Sequence, residues 1–478
     1  MPDLIAALEG VLGRERCLSQ PEDLFVYECD GATLHRETPR AVVFPTSTQE
    51  VQQVVRACRA AGVPFVPRGA GTGLSGGALA LDGGVVIECS RLDRIREVDP
   101  ANRLAVVEPG VVNADLSKAV APHGLFYAPD PSSQLSCTIG GNVAENSGGP
   151  HTLKYGTTTN HVLALELVLP DGERVELGSP TGVSAGYDLV GAVVGSEGTL
   201  GVVTAATVRL TRLPEGVETL LCVFRDVVDA CRAVGAMIGS GLVPAALEIV
   251  DERTIAAVEA SVYAAGLPTD AGAVLIVELD GPRVALEREV ARVREIGAAE
   301  GATRVEVARD EAERQRFWRA RKGAFGAMGR LAPDLYVHDA VVPRSALPEV
   351  LAEVCAIGDR HGLTLSNVFH AGDGNLHPNI SFDRRDPDEL ARVVAAGREI
   401  LELCVRAGGV ITGEHGIGTE KRDYMGLLFG EADLGAMRRL RAAFDPEQVC
   451  NPGKVFPTTR FCAESNPKAR GYDEVPFE

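Results

Sequence analysis

The spacing of apolar residues predicts alternating helices and strands in the first part of the chain. Residues 41–44 have strand character, and the helical spacing that follows begins at Ser47, where Glu50 completes the sequence of a capping box, and ends at Gly62. A second strand at 63–66 leads into a glycine-rich loop, so we predict a β-α-β unit that feeds this loop. A docking helix is predicted at the N-terminus by one apolar face: Leu4, Ile5, Leu8, Val11 and Leu12.

The pattern changes after about two fifths of the chain. Apolar alternation at 162–169 and 200–210 predicts paired strands. Pro214 and Gly216 then interrupt a strand pattern and predict a domain boundary. Beyond the boundary, short apolar strands alternate with helices rich in Ala, Arg and Glu, which is typical of an α+β domain. We therefore predict a first domain at 1–215, a second domain at 216–455 whose last segment returns to the first, and a tail at 456–478.

Composition and charge narrow the class of protein. The chain has 478 residues, of which 45% are hydrophobic and 24% charged, as in an ordinary globular protein. Its formal net charge of -19 disfavours nucleic acid and anionic lipid as partners. The 11 cysteines have no C-x-x-C spacing, so we expect reduced thiols in a cytoplasmic protein rather than a cluster site. The N-terminus lacks a basic start and no apolar run reaches the roughly 18 residues of a membrane span, so neither a signal peptide nor membrane insertion is expected.

The loop at 67–77 is the first candidate ligand site. Gly71-x-Gly73-x-x-Gly76 has the spacing of a dinucleotide fingerprint, but that fingerprint requires a helix that begins in the loop. Further glycines interrupt any such helix and a strand follows within a few residues, so we reject a Rossmann loop. Two interpretations remain: a nest of backbone amides that holds a pyrophosphate, and a plain glycine-rich turn.

Neighbouring side chains favour the nest over the plain turn. Arg68, Thr72 and Ser75 add hydrogen-bond donors suited to phosphate oxygens. A second glycine-rich stretch at 138–149 precedes the same domain boundary. Two such stretches predict a long ligand that is supported at several points.

A cluster of histidines and a carboxylate is the second candidate site. His370 and His377 lie on either side of the turn at 372–374, between two predicted strands, so a hairpin brings them together. Glu414 and His415 lie on a glycine-rich loop farther along. Two imidazoles and one carboxylate suit a divalent ion such as zinc, manganese or iron, and the alternative is a hydrogen-bonded packing cluster.

Motifs in both halves of the chain resemble one flavoprotein family. In the first half these are PRGAGTGLSGGAL, VEPGV, PDPSSQLSCTIGGNVAENSGG and GSEGTLGVV, which resemble the vanillyl-alcohol-oxidase type of FAD domain, also known from p-cresol methylhydroxylase. In the second half they are RFWRARKGAF, NVFHAGDGNLHP, GEHGIGTEK and CNPGK. Together they resemble the FAD-linked D-2-hydroxy acid dehydrogenases, which include glycolate oxidase D subunits and the D-lactate and D-2-hydroxyglutarate enzymes. The resemblance implies an α+β fold with an FAD-binding domain at 1–215 and an α+β cap domain with an antiparallel sheet at 216–455.

The resemblance places FAD along both glycine-rich stretches. It implies that the loop from Arg68 to Ser75 binds the pyrophosphate, and that Asn451 and Lys454 bring the C-terminal segment back against the flavin. Many relatives tether FAD through a histidine in the first loop, but 67–77 contains none, so we expect FAD held without a covalent bond. The implied FAD-binding residues are Arg68, Gly69, Ala70, Gly71, Thr72, Gly73, Ser75, Pro131, Ser132, Thr138, Gly141, Asn142, Asn146 and Gly148, with Glu197 and Val202 near the adenosine end, and Asn451.

The resemblance also implies roles for the histidine cluster. His370, His377 and Glu414 match the family's metal ligands, and His415 matches its catalytic base. Arg321 matches the residue whose planar guanidinium pairs with the substrate carboxylate. From the residues alone, a solvated helical arginine is the alternative for Arg321.

The implied function is FAD-dependent oxidation of a small D-2-hydroxy acid, from glycolate to glyoxylate or from D-lactate to pyruvate. A divalent ion would lower the pKa of the substrate hydroxyl, a neutral histidine would take its proton, and hydride would pass to flavin N5. The D-2-hydroxyglutarate branch carries a lysine where this chain has Val337, which favours a monocarboxylate, and Asn379 is expected to add a hydrogen bond. Electrons would leave to an iron–sulfur subunit and a second FAD subunit of a glycolate oxidase-like complex, peripheral to the inner membrane, rather than to NAD.

Three alternatives stay open. The chain could instead be a non-catalytic FAD-binding electron-relay subunit or a D-2-hydroxyglutarate-type dehydrogenase. The third alternative is a flavin-dependent alkyl transferase with the same architecture. Retention of His370, His377, Glu414 and His415 disfavours the first and the last of these.

Overall fold

A computed structural model describes residues 4–32 and 34–457. The strands are β1 (Cys17–Leu18), β2 (Ala41–Val43), β3 (Phe65–Arg68), β4 (Val85–Glu88), β5 (Ile95–Asp99), β6 (Leu104–Val107), β7 (Leu125–Phe126), β8 (Val162–Val168), β9 (Arg174–Gly178), β10 (Val202–Arg209), β11 (Thr211–Arg212), β12 (Gly216–Phe224), β13 (Ala246–Asp251), β14 (Ala273–Gly281), β15 (Arg304–Val307), β16 (Asp334–Val337), β17 (Ala340–Val341), β18 (Thr364–His370), β19 (Asn375–Leu376) and β20 (Pro378–Phe382). The helices are α1 (Leu4–Leu12), α2 (Pro21–Leu24), α3 (Thr48–Ala61), α4 (Asn113–Val120), α5 (Ile139–Glu145), α6 (Thr152–Tyr155), α7 (Leu189–Val193), α8 (Val227–Gly239), α9 (Glu252–Glu259), α10 (Arg283–Ala299), α11 (Glu311–Met328), α12 (Leu347–His361), α13 (Pro387–Arg406) and α14 (Glu431–Phe444).

The chain forms two compact units, each assembled from separate segments. Of the described residues, the first unit comprises 4–32, 34–147, 157–213 and 414–457, and the second comprises 148–156 and 214–413. The predicted ranges 1–215, 216–455 and 456–478 stay a prediction about functional domains. Apart from its first two residues, the predicted tail lies outside the described part of the chain.

The first unit begins with a small sheet in the order β1-β2-β4-β3, in which β2, β4 and β3 run parallel. Helices α1 and α3 bury their apolar faces against it, as predicted for both. One of the two hydrogen bonds of the predicted capping box is present, in which the Ser47 hydroxyl accepts from the Glu50 amide. In place of the other, the Glu50 carboxylate accepts from the Thr46 amide at 2.7 Å instead of the Ser47 amide. Gly62 ends α3 in the left-handed conformation, with φ at 65°.

A second sheet in the first unit has the order β5-β6-β10-β8-β9, and all of its pairs are antiparallel. Strands β8 and β10 confirm the predicted pairing of 162–169 with 200–210. Apolar residues of α4, α5 and α7 share one core with this sheet. Helix α5 belongs to the second glycine-rich stretch, so this core packs part of that stretch against the sheet.

The second unit is built on nine strands in the order β15-β12-β14-β13-β18-β19-β17, with β20 joined to β18 and β16 to β20. Leu221 and Val223 on one face share a core with α9 and α11. Cys222, between them, faces Gly297 of α10 on the other face. Side chains of neighbouring residues point to opposite faces of a strand, so helices cover both sides of this antiparallel sheet. None of the described helices combines the length and apolarity needed to span a bilayer.

Candidate active site

The first glycine-rich loop follows β3 without opening a helix. Residues 69–80 contain turns and bends but no helix, so the rejection of a Rossmann loop is confirmed. A Cβ on Gly69 would lie 2.5 Å from the hydroxyl oxygen of Thr138, at the start of the second stretch. A Cβ on Gly71 would lie 2.1 Å from the Arg68 guanidinium. The missing Cβ atoms therefore permit two close approaches, one between the two glycine-rich stretches and one within the loop.

The second glycine-rich stretch contains a helix that the sequence pattern does not predict. Thr138 caps α5 by accepting from the Gly141 amide at 3.3 Å, and Asn146 ends it in the left-handed conformation. Gly140 packs so closely on Pro109 that a Cβ would lie 2.5 Å from the proline side chain. Glycine in the helix is therefore explained by this close packing, which overrides its weak helix propensity.

The polar side chains of the first loop fit a phosphate ligand. Arg68 is buried, with its guanidinium 5.6 Å from the centre of the Tyr27 ring and its Nε 3.7 Å from the Glu88 carboxylate. Burial raises the pKa of Glu88 to about 7. Within the described residues, Nη1 of Arg68 and the hydroxyl of Ser75 have no hydrogen-bond partner although both are buried. Buried donors of this kind need acceptors, and the oxygens of a pyrophosphate would supply them.

The C-terminal segment of the first unit closes on the same loop. Nδ2 of Asn451 donates to the carbonyls of Gly77 and Glu197, at 2.9 and 2.7 Å, and Nζ of Lys454 donates to the carbonyl of Leu79 at 2.7 Å. Burial lowers the pKa of Lys454 to about 7. These bonds tie residues near position 450 to a loop near position 77.

Glu197 supports the loop that carries His415. Its carboxylate accepts from the amides of Ile417 and Gly418, each at 2.6 Å. A Cβ on Gly416 would lie within 3 Å of carboxylate oxygens of Glu145 and Glu197. Burial and the charge of Glu197 raise the pKa of Glu145 well above its ordinary value. Sequence reasoning assigned Glu197 only to the adenosine end of FAD, and it missed Glu145.

In the second unit, the predicted hairpin brings the two histidines together. Strand β18 ends at His370, which pairs with Asn375 of β19, and His377 lies between β19 and β20. The two imidazole rings are 5.2 Å apart and perpendicular, and both are buried. Nδ2 of Asn379 donates to the carbonyl of His377 at 2.7 Å, and Val337 pairs with Asn379 across the sheet.

Arg321 is not a solvated helical arginine. It lies on the buried face of α11 with 2% of its surface exposed, whereas Arg319 and Lys322 beside it are exposed. Its Nε donates to the carboxylate of Glu248 at 2.6 Å, and its Nη2 lies 3.4 Å from Nδ1 of His370. The structure therefore brings Arg321 beside the first histidine.

Glu248 joins Arg321 to His370, and sequence reasoning missed it. Its carboxylate oxygens lie 2.8 and 3.0 Å from Nδ1 of His370. Burial opposes ionisation, but His370 and Arg321 beside the carboxylate outweigh it and hold the pKa of Glu248 below its ordinary value. A glutamate within the apolar strand ALEIVD was the signal, because a buried carboxylate needs partners.

A second buried carboxylate anchors residues 148–156 in this unit. Glu278 of β14 accepts from Nε2 of His151 at 3.0 Å and from the indole of Trp318 at 2.5 Å, and Nε of Arg314 lies 3.1 Å from it. Lys154 and Tyr155 bond to the next acidic residue, Asp280. Gly148, implied as an FAD contact, belongs to this segment of the second unit.

The chain leading to Glu414 is held by Asp339. One carboxylate oxygen of Asp339 accepts from the Thr412 hydroxyl at 2.6 Å and from the Gly413 amide at 2.9 Å. Glu414 is the next residue, and it opens the last segment of the first unit. Oε1 of Glu414 lies 3.7 Å from Nε2 of His415.

Comparison with known protein families matches both halves of the chain. An FAD-binding-domain family matches residues 39–178, and the C-terminal domain of FAD-linked oxidases matches residues 213–455. The second match covers more than half of the chain.

Named relatives agree with these matches. The glycolate oxidase subunit GlcD of Escherichia coli K12 is 47% identical over 99% of this chain and 95% of its own length. GlcD of Bacillus subtilis 168 is 41% identical over 95% of this chain and 97% of its own length. A D-lactate dehydrogenase of Anaerostipes hadrus is 34% identical over 87% of this chain and 89% of its own length.

Solved structures show the same fold at low sequence identity. A p-cresol methylhydroxylase structure has a TM-score of 0.79 at 18% identity, covering 95% of this chain and 96% of its own. The 4-ethylphenol oxidase of Gulosibacter chungangensis has a TM-score of 0.77 at 20% identity, with the same coverage. The predicted α+β fold with an FAD domain of the p-cresol methylhydroxylase type is therefore confirmed. The chain belongs to the family of FAD-linked oxidases, together with these GlcD subunits of glycolate oxidase and this D-lactate dehydrogenase.

Proposed function

We propose that this FAD-linked oxidoreductase oxidises a small D-2-hydroxy acid, either glycolate or D-lactate. The names of the relatives, glycolate oxidase subunit and D-lactate dehydrogenase, support this substrate class. The observation that carries the proposal is the buried group formed by Arg321, His370 and His377. A guanidinium that would bind a carboxylate, beside two imidazoles that would hold an ion for the hydroxyl, matches the two functional groups of a 2-hydroxy acid.

Arg321 is the proposed partner of the substrate carboxylate. Its Nε is engaged by Glu248, so the two Nη atoms present the edge of the guanidinium that remains for a second carboxylate. Such a pair is charge-assisted, and a charge-assisted hydrogen bond is about twice as strong as a neutral one. The burial of Arg321 strengthens the pair further, because the local dielectric constant is low.

His370, His377 and Glu414 are the proposed ligands of a divalent ion, which would be zinc, manganese or iron. Two buried, perpendicular imidazoles 5.2 Å apart fit such a site, and the Glu248 carboxylate behind His370 is a common support of a metal-binding histidine. A bound ion would lower the pKa of the substrate hydroxyl. The chain's own contribution is to bury the two imidazoles side by side.

His415 is the proposed general base. As a neutral imidazole, His415 would accept the hydroxyl proton at a ring nitrogen. When bound, FAD would provide the acceptor for the hydride from the substrate Cα–H. The carboxylate of Glu197 fixes the amides of Ile417 and Gly418 and so steadies the loop that carries this histidine.

The chemistry around Asn379 supports a monocarboxylate substrate. Val337 lies opposite Asn379 in the β16–β20 pair, where the D-2-hydroxyglutarate branch carries a lysine. An apolar side chain at this position offers no charge to a second carboxylate. The proposed substrates therefore carry one carboxylate.

Electrons are proposed to leave through protein partners. The most similar relatives named above are subunits, so a multi-subunit complex is supported. The cysteines lack cluster spacing, so the proposed acceptor is a separate iron–sulfur subunit, with a second FAD subunit, located at the inner membrane through these partners.

Anaerobic bleaching of the flavin tests the proposal directly. The purified FAD-loaded chain is mixed with glycolate and with D- and L-forms of lactate and 2-hydroxyglutarate, with and without a chelator. Rapid bleaching by glycolate or D-lactate, lost on chelation, is expected. Bleaching by no 2-hydroxy acid in metal-replete protein would overturn the proposed substrate class.

A further inference from the structure

Glu248 is a buried carboxylate in the middle of an apolar strand. It lies on β13 opposite His370 of β18, in the register that also pairs Ile249 with Phe369. No part of its surface is exposed. A charge in such a place is retained only when partners compensate it, and its partners here are Arg321 and His370.

The hydrogen bonds around His370 identify its tautomer. Nδ1 lies 2.8 Å from the Glu248 carboxylate and 3.4 Å from Nη2 of Arg321. A carboxylate only accepts and a guanidinium only donates, so Nδ1 serves one of them at a time. The shorter, charge-assisted bond puts the proton on Nδ1, which leaves the lone pair of the imidazole on Nε2.

We propose that Glu248 is a positioning residue that orients two functional side chains at once. Its carboxylate accepts from Nδ1–H of His370 and so leaves Nε2 of that ring to act as a metal ligand. The same carboxylate accepts from Nε of Arg321 and so leaves the two Nη atoms for the substrate carboxylate. This inference rests on the proposed function, since it assigns Glu248 to the same site.

Replacing Glu248 by Gln separates its effect on His370 from its effect on Arg321. The amide oxygen of Gln still accepts from Nε of Arg321, but the remaining amide nitrogen only donates and therefore favours the Nε2–H tautomer of His370. The variant keeps the size and one bond of the wild type while reversing the polarity of the other. Glu278→Gln is the matched control, because Glu278 is also buried, on the adjacent strand β14, and bonds instead to His151, Trp318 and Arg314.

The first measurement is the affinity of the FAD-loaded full chain for Zn²⁺ or Mn²⁺, by competition with a chromophoric chelator. Loss of a partner that orients a metal-binding histidine typically weakens binding about 10- to 100-fold, and we expect this loss for Glu248→Gln and less than about twofold for Glu278→Gln. At saturating metal, kcat of Glu248→Gln should fall while KM changes little. Equal metal affinity in Glu248→Gln and wild type overturns the role of Glu248 and leaves the proposed function standing.

The second measurement needs no metal. Long-range ¹⁵N–¹H spectra of metal-stripped, histidine-labelled protein report the tautomer of His370, whose signals are assigned by their loss in His370→Asn. The Nδ1–H form is expected in wild type and in Glu248→Asp, and the Nε2–H form in Glu248→Gln. An Nε2–H form in wild type overturns the inference, whereas wild-type protein that shows the Nδ1–H form but binds no ion overturns the metal site alone.

Discussion

Replacing Arg321 by Ala tests whether this residue binds the substrate carboxylate. The guanidinium is 2% exposed and is bonded to a carboxylate that is 0% exposed, so the deletion acts in a desolvated place. Truncating one partner of a buried hydrogen-bonded charge pair costs about 2–5 kcal/mol. If that penalty falls on the transition state, kcat/KM drops about 30- to 5,000-fold, since about 1.4 kcal/mol corresponds to a factor of ten.

Stopped-flow reduction of the flavin by glycolate or D-lactate measures this loss. Arg316→Ala is the control on the same helix: its side chain is 40% exposed and pairs with Glu313, so we expect a change below about 1 kcal/mol. Arg321→Lys keeps the positive charge but not the planar guanidinium that binds a carboxylate through two hydrogen bonds. This variant should therefore be faster than Arg321→Ala and slower than wild type. Thermal unfolding runs in parallel, because Glu248 loses its cation in Arg321→Ala and the fold is destabilised as well. Equal kcat/KM for the Arg321→Ala and Arg316→Ala variants would remove Arg321 from the site.

Three other expectations concern the cofactors and pH. Because 67–77 contains no histidine, acid or heat denaturation should release FAD into the supernatant, and flavin left on the precipitate would contradict non-covalent binding. Chelation and His377→Ala should both abolish flavin reduction while FAD stays bound, and added Zn²⁺ or Mn²⁺ should restore only the chelated wild type; His415→Ala should instead retain metal and slow reduction about 10²–10⁴-fold. Full activity of metal-free wild type, measured beside metal analysis, would refute the ligand assignment. Burial raises the pKa of Glu278, but His151 and Arg314 outweigh burial and lower this pKa from 4.5 to about 2. Glu278 therefore contributes about 3 kcal/mol of stability, present above about pH 4.5 and lost as the pH falls toward 2. The gap in unfolding midpoint between wild type and Glu278→Gln should narrow over that range, and a constant gap would contradict this pKa.

Local pattern alone predicted the parts of the fold that depend on neighbouring residues. The amphipathic face of α1, the cap at Ser47 and the stop at Gly62 follow from residues a few positions apart. The hairpin that joins His370 to His377 follows in the same way, from a turn between two apolar runs. Helix α5 was missed because glycine is a poor helix former, and close packing on Pro109 overrides that preference.

The pairing that orients the candidate site depended on tertiary structure. Glu248 and His370 are 122 positions apart, and they meet only because β13 and β18 adopt one register; a shift of one residue would turn Glu248 to the other face. Likewise, the sequence alone does not distinguish Arg321 from the other arginines of α11. Packing of this helix against the sheet is what buries Arg321. Residue types and turns are visible in the sequence without a structure. Which buried charges face each other depends on strand register and helix rotation, because both are set by contacts between residues far apart in the chain.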